Sequence, residues 1–187
     1  MLERLTGQLC DILTGRRDSQ QILLSLERDH LFIVPLNETR QWWRYEHLFA
    51  DLLRHQCELD YGVEQVAALH RQASQWYENN NSPEEAIHHA LVAKDWPRAM
   101  RLVDIHGEVL RKRGEFSTLL GWFEAIPQEM LRERIRLYSQ YASLLAAMGQ
   151  QDAAEAALRY LEAEALDDTT KGEVAFARGI VYRHRGD

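Results

Sequence analysis

Residues 31–54 read LFIVPLNETRQWWRYEHLFADLLR, and the order of residue types in this stretch decides the fold. Leu31-Phe32-Ile33-Val34-Pro35 is a short run of β-branched and aromatic residues, the composition that suits a strand. Leu36-Asn37-Glu38-Thr39-Arg40 is polar and turn-like, and Trp42-Trp43-Arg44-Tyr45 is a second strand-like run. The pattern predicts a hairpin with its turn near Asn37 to Arg40. Successive strand side chains face opposite sides. One of Trp42 and Trp43 therefore belongs to the core, and the other faces outward, where a rim-packed aromatic is the expected outcome. A helix is expected from about Glu46 to Leu59, carrying Leu48, Phe49, Leu52 and Leu53.

Upstream, Leu2, Leu5, Leu9, Ile12 and Leu13 recur at helical spacing, and Thr14-Gly15 closes that helix. Asp18 or Ser19 caps a second helix with Ile22, Leu23 and Leu26 on its apolar face. Helices followed by a small hairpin make the pattern of a winged helix.

Downstream of Val63 the strand signal disappears. Val66, Leu69, His70, Ala73, Trp76 and Tyr77 form one helical stripe. Asn79-Asn80-Asn81 interrupts it, and Ser82-Pro83-Glu84-Glu85 opens the next helix, with Pro at the first position and acidic groups against its positive end. Ala86, Ile87, Ala90 and Leu91 supply its buried face. Helix, Gly-polar turn, helix then recurs at Gly114-Glu115, Gly149-Gln150 and Gly186-Asp187, with glycine spacings of 35 and 37 residues. A period near 34 with alanines at the helix crossings marks tetratricopeptide-like pairs. The clearest pair runs from about Leu137 to Leu166. Such units bury their faces only by stacking. The face around Val174, Ile180 and Tyr182 is therefore expected to be covered by further sequence or by another copy of the chain.

The predicted fold class is mainly α, a winged-helix unit with a small β-hairpin followed by an α-solenoid of tetratricopeptide-like helix pairs. The 187 residues carry a net charge of −7 and no basic run, so binding nucleic acid by charge alone is not expected. Cys10 and Cys57 are isolated, which fits a reducing cytoplasm. No leader-like apolar segment opens the chain and no run is long enough for a membrane span. The end at Arg185-Gly186-Asp187, just after an apolar helical pattern, reads as a cut in a longer protein.

No GxxxxGK[ST], GxSxG, HExxH or CxxC motif occurs, and no nucleophile–base pair or carboxylate constellation stands out. The expectation is a non-enzyme with no catalytic residue, no bound metal and no cofactor of its own. His88 and His89 are adjacent and point to different helix faces, which is poor geometry for a shared metal. His70 and His106 sit in helical stripes as structural histidines.

Residues 31–54, with LHRQASQWYENNNSPEEAIHHALVAKDWPRAMRLV at 69–103, resemble the MalT-like, LuxR-type large ATP-binding transcription regulators, a branch of the signal-transduction ATPases with numerous domains. The resemblance covers nearly the whole chain. It implies an N-terminal P-loop ATPase, a winged helix, a helical arm, a repeat-built sensor and a C-terminal LuxR-type helix-turn-helix. On that map residues 1–60 are winged-helix-like, 61–105 form the linking arm and 106–187 begin the sensor repeats. ATP or ADP belongs to the full-length protein. The implied partners are the intramolecular ATPase domain and a small-molecule or protein inducer on the repeats, with DNA bound only through the C-terminal helix-turn-helix.

In related switch ATPases a winged-helix His in a Met-His-Asp motif touches the diphosphate of ADP and locks the resting state. Glu46-His47-Leu48 occupies a similar place, with Glu46 for Met and Leu48 for Asp, so the resemblance makes His47 the candidate nucleotide sensor. Tyr138 and Gln140, taken as outward residues of a repeat helix, are candidates to meet the inducer. Two other readings compete: a stand-alone scaffold docking a partner peptide in its repeat groove, and direct DNA binding by the winged helix, which the acidic balance disfavours.

Overall fold

A computed structural model describes residues 2, 4–164 and 166–185. The turn expected at Gly186-Asp187 lies outside the described residues. The chain forms two compact units, residues 1–95 and 96–187.

The first unit contains α1 (Gly7–Thr14), α2 (Ser19–Arg28), β1 (Ile33–Pro35), β2 (Trp43–Tyr45), α3 (His47–Asn79) and α4 (Pro83–Val92). The strands pair antiparallel, with Ile33 opposite Tyr45 and Pro35 opposite Trp43. Asn37 builds the turn: its side-chain oxygen accepts from the N–H of Gln41 at 3.0 Å and of Trp42 at 3.3 Å.

The first helix is shorter than its apolar spacing predicts. Leu5 is extended and exchanges backbone hydrogen bonds with Trp43 at 2.7 and 2.9 Å, adding a third short segment to the hairpin. Thr6 then caps α1 by accepting from the N–H of Leu9 at 3.1 Å. The Leu2–Leu5–Leu9 spacing suits a helix, but the cap and the strand pairing at Leu5 override it. Asp18 stands at the start of α2 without capping it, because its carboxylate is drawn to Arg16. The core joins Leu5, Leu23 and Ile33 to Trp43. The Trp43 indole donates to Glu27 at 3.1 Å, and Glu27 also receives Arg40 at 2.9 Å. Trp42 turns the other way and is covered by α3, meeting Trp76 edge-on at 6.1 Å and Tyr77 in a stack at 6.4 Å.

Helix α3 runs well past Leu59. At Gly62 (φ 73°, ψ 165°) the backbone leaves helical geometry for one residue and then resumes, so two helices join without a loop. In its first half Phe49 packs on Phe32 and Tyr45, whereas Leu48 and Leu52 face outward at 88% and 60% exposure. In its second half α3 packs on α4, where Ala73, Ala86 and Ala90 are buried, and the Ser74 hydroxyl donates to the carbonyl of Ala86 at 2.7 Å.

The second unit contains α5 (Trp96–Arg113), α6 (Phe116–Ala125), α7 (Gln128–Arg132), α8 (Ile135–Ala147), α9 (Gln151–Glu162) and α10 (Asp168–Arg185). Helix α5 pairs with α6 and α8 with α9, and α10 lies against both α8 and α9. Each new helix thus buries its face on the preceding pair. Buried alanines at 142, 146, 154 and 157 sit at these crossings.

One device ends several of the helices. A residue with left-handed backbone is followed by an N–H that reaches five residues back: Glu115 to Leu110 after Gly114, and Gln150 to Leu145 after Gly149. The same bonds follow Asn81 (Ser82 to Tyr77) and Lys94 (Asp95 to Ala90). Only the glycine versions are recognisable from sequence.

Two placements differ from expectation. Tyr138 is buried, not outward: it meets Tyr160 edge-on at 5.4 Å, and the Arg132 guanidinium lies 4.9 Å above the Tyr160 ring. Val174 is also buried, because α10 turns that side onto α8 and α9, while Phe176 and Tyr182 of α10 remain exposed.

Candidate anion-binding cleft

His47 is the first residue of α3, and Glu46 before it makes no side-chain cap. The helix therefore presents N–H groups without a side-chain partner, and with them the positive end of its dipole, on the side where an anion is stabilised. The hairpin directs β2 straight into this helix start, and a cleft of about 660 Å³ opens beside it.

Arg44 enters the cleft from β2, His47 and Arg54 from α3, Arg4 from the N-terminal segment, and His88 and His89 from α4. The Arg44 guanidinium lies 3.3 Å from Nε2 of His47. Arginine only donates, so Nε2 is the accepting nitrogen and the His47 proton sits on Nδ1. The cleft also holds opposing charge: Glu84 and Glu85 line it, and Arg4 bonds Glu85 at 2.8 Å. Both partners of that pair are solvent-accessible, so the bridge is worth no more than about 1 kcal/mol and yields readily to a better anion.

Sequence reading did not find the arrangement behind this wall. His89 is buried, and its Nδ1 lies 2.7 Å from Nδ1 of His70, which is also buried. Tyr77 stacks on the His89 ring at 5.3 Å and 12°, and its hydroxyl donates to the Arg4 carbonyl at 2.8 Å. Burial, aided by the neighbouring His70, pushes the His89 pKa down to about 3, and burial pushes His70 down to about 4. Both rings are neutral at pH 7, so one donates and the other accepts. The two positions are 19 residues apart on different helices, and no local motif announces their contact. His88 beside it is exposed and lines the same cleft, its ring edge-on to that of His89 at 5.3 Å. Among the described residues no three His, Cys, Asp or Glu side chains form a metal-holding group. Among them, too, no helix is long and apolar enough to cross a membrane.

In the second unit, Gln140 lines a groove of about 220 Å³ with Arg111, Phe116, Leu119, Arg136 and Ser143, whereas buried Tyr138 takes no part in it.

A winged helix with an arginine- and histidine-lined cleft, followed in the chain by packed helix pairs, defines the structural class. Comparison with known proteins gives the family. Residues 1–65 match the MalT winged helix domain. The chain is 29% identical over 190 residues to the HTH-type transcriptional regulator MalT of Cronobacter sakazakii, covering 100% of this chain and 21% of that protein. It is 34% identical over 145 residues to the serine/threonine-protein kinase PknK of Mycobacterium tuberculosis, and equally to that of Mycobacterium bovis, covering 76% of this chain and 13% of those proteins. The chain thus spans 13% to 21% of the length of these curated relatives. Residues 1–65 are thus similar to the MalT winged helix domain, and the chain as a whole is similar to a segment of these longer proteins.

Proposed function

We propose that this chain is the switch-and-sensor segment of an ATP-dependent LuxR-type transcription regulator, and that its first-unit cleft receives the phosphates of a nucleotide held by an ATPase domain elsewhere in that protein. The observation that carries this reading is that His47, Arg44, Arg54 and Arg4 line one cleft beside the first turns of α3, with Arg4 paired to Glu85 and Arg54 to Asp51. Guanidinium groups and helix N–H groups are the donors that phosphate oxygens select. A volume of about 660 Å³ falls in the range of small-molecule sites.

In this reading the chain performs no chemistry of its own. His47 donates from Nδ1 to a terminal phosphate oxygen, Arg44 orients that ring, and the arginines balance charge. The helix pairs of the second unit act as the tetratricopeptide-like sensor, with an inducer seated against Arg111, Phe116, Arg136 and Gln140. A signal shifts the switch only if it binds one state of the protein better than the other.

The test is calorimetric titration of the chain with inorganic pyrophosphate and with ADP. Losing one charge-assisted hydrogen bond costs about 1.5–3 kcal/mol, so His47→Ala and Arg44→Ala should each weaken pyrophosphate binding by roughly ten- to a hundredfold. Unchanged affinity in both variants removes the cleft from the mechanism.

A second reading, a scaffold that docks a partner peptide, rests on the second-unit groove. An acidic peptide that binds the chain and loses affinity in Arg136→Ala, with pyrophosphate having no effect on the first unit, would favour it.

A further inference from the structure

His89 is a buried neutral imidazole, and a buried imidazole needs a partner for each ring nitrogen. Nδ1 has His70. Nε2 has no protein partner among the described residues, and His89 forms part of the cleft wall. The ring cannot turn away: Tyr77 lies flat against it, Tyr77 is tied to the Arg4 carbonyl, and α4 is fastened to α3 by the Ser74–Ala86 bond. His89 is therefore a polar side chain more than nine-tenths buried, held rigidly, with one nitrogen uncommitted beside a cavity lined by Arg4, Arg44 and Arg54 as well as by Glu84 and Glu85.

Packing alone does not account for this pair. Ala73, Ala86, Ile87 and Ala90 are buried on the same two helices, which pack together. Two buried imidazoles are costlier than two aliphatic side chains of similar volume, because each carries polar atoms out of water. What the imidazoles add is direction. When His70 donates from Nδ1, the Nδ1 of His89 is the acceptor, and the His89 proton is forced onto Nε2, facing the cleft.

Resting on the reading of the cleft as a phosphate site, we propose that His89 is a second imidazole donor to the bound phosphate, and that His70 is the positioning residue that sets its tautomer. The anion then lies between two histidines: His47 donating from Nδ1 at the start of α3, and His89 donating from Nε2 on α4. Binding selects, of the two proton arrangements open to the pair, the one in which His70 donates and His89 accepts at Nδ1. It also joins α4 to the winged helix through the ligand. Other charged groups facing the pair and the cleft act in opposite senses. His88, Arg54, Arg4 and Arg44 disfavour a further proton on the pair, while Glu84 and Glu85 favour one. The neutral donor form is the one expected at pH 7.

The test is imidazole nitrogen NMR of the 187-residue chain at pH 7.5, with and without saturating pyrophosphate, the rings assigned through His47→Ala and His89→Gln. The expected result is a single His89 tautomer protonated at Nε2 in the complex, with the N–H resonance of that atom shifted downfield. His70→Phe should weaken pyrophosphate roughly tenfold, and His70→Asn, which keeps a donor, should recover part of the loss. If His89 resonances stay unmoved while those of His47 respond, the pair is structural and only this inference falls. If pyrophosphate moves neither ring, the cleft reading falls and takes this inference with it. The wild-type spectra decide the matter even where His70→Phe fails to fold.

Discussion

His70 and His89 carry a pH consequence of their own. Both have folded-state pKa values depressed below the ordinary 6.5, to about 4 and about 3. Their contribution to stability is therefore complete above pH 6.5. As the pH falls below 6.5 the unfolded chain takes up protons that the folded chain refuses, so stability declines down through pH 4. Each group approaches about 1.4 kcal/mol lost per pH unit in that window. Thermal unfolding followed at pH 7.5, 6, 5 and 4.5 should show a falling midpoint, with a shallower decline in a His89→Gln variant. A flat profile for the wild-type chain would show that the pair titrates normally. At Trp43, fully buried and bonded to Glu27, replacement by Ala should cost about 3–5 kcal/mol, enough to unfold the winged helix in mild urea. These two examples also mark what sequence reveals at this scale. Trp43 is legible because strand alternation forces one tryptophan of the pair inward. The His70–His89 contact is not, because it depends on how two helices meet. His47 was reached through a family resemblance, and its Arg44 contact only through the structure.

At the scale of elements, the recurring helix end is a matter of one left-handed residue. Gly149 at φ 74° and Lys94 at φ 54° do the same job with different side chains. A Cβ in that conformation costs about 1–2 kcal/mol. Gly149→Ala should therefore destabilise the second unit by about 1 kcal/mol, and Lys94→Gly should stabilise the first unit by a similar amount less the entropy of the added glycine. Chemical denaturation of both variants checks the pair of signs, and the reverse order would contradict the cap assignment. Helix pairs with glycine turns were readable from period and composition. The short α1 was not, since the Leu2–Leu5–Leu9 spacing fits a helix until the extended pairing of Leu5 with Trp43 is known. Nor was the long α3, because a single Gly62 in left-handed geometry joins two helices where sequence offered an end. Asn81 and Lys94 hid two further caps, being residues that enter the left-handed region only at a cost.

For the molecule as a whole, the order of units follows from the sequence pattern: alternation near residues 31–45, then helical periodicity to the end. The winged helix supplies a basic cleft, and the helix pairs supply repeated surfaces that bury only one side each. The proposed function stands or falls with the cleft beside the start of α3 acting as a phosphate receptor. Hydrogen–deuterium exchange of the chain with and without saturating pyrophosphate tests it most directly. Slowed exchange confined to residues 4–5, 44–54 and 84–90 is the predicted result, since those segments carry the cleft donors. Unchanged exchange there, or protection confined to residues 104–147 of the second unit, would contradict it.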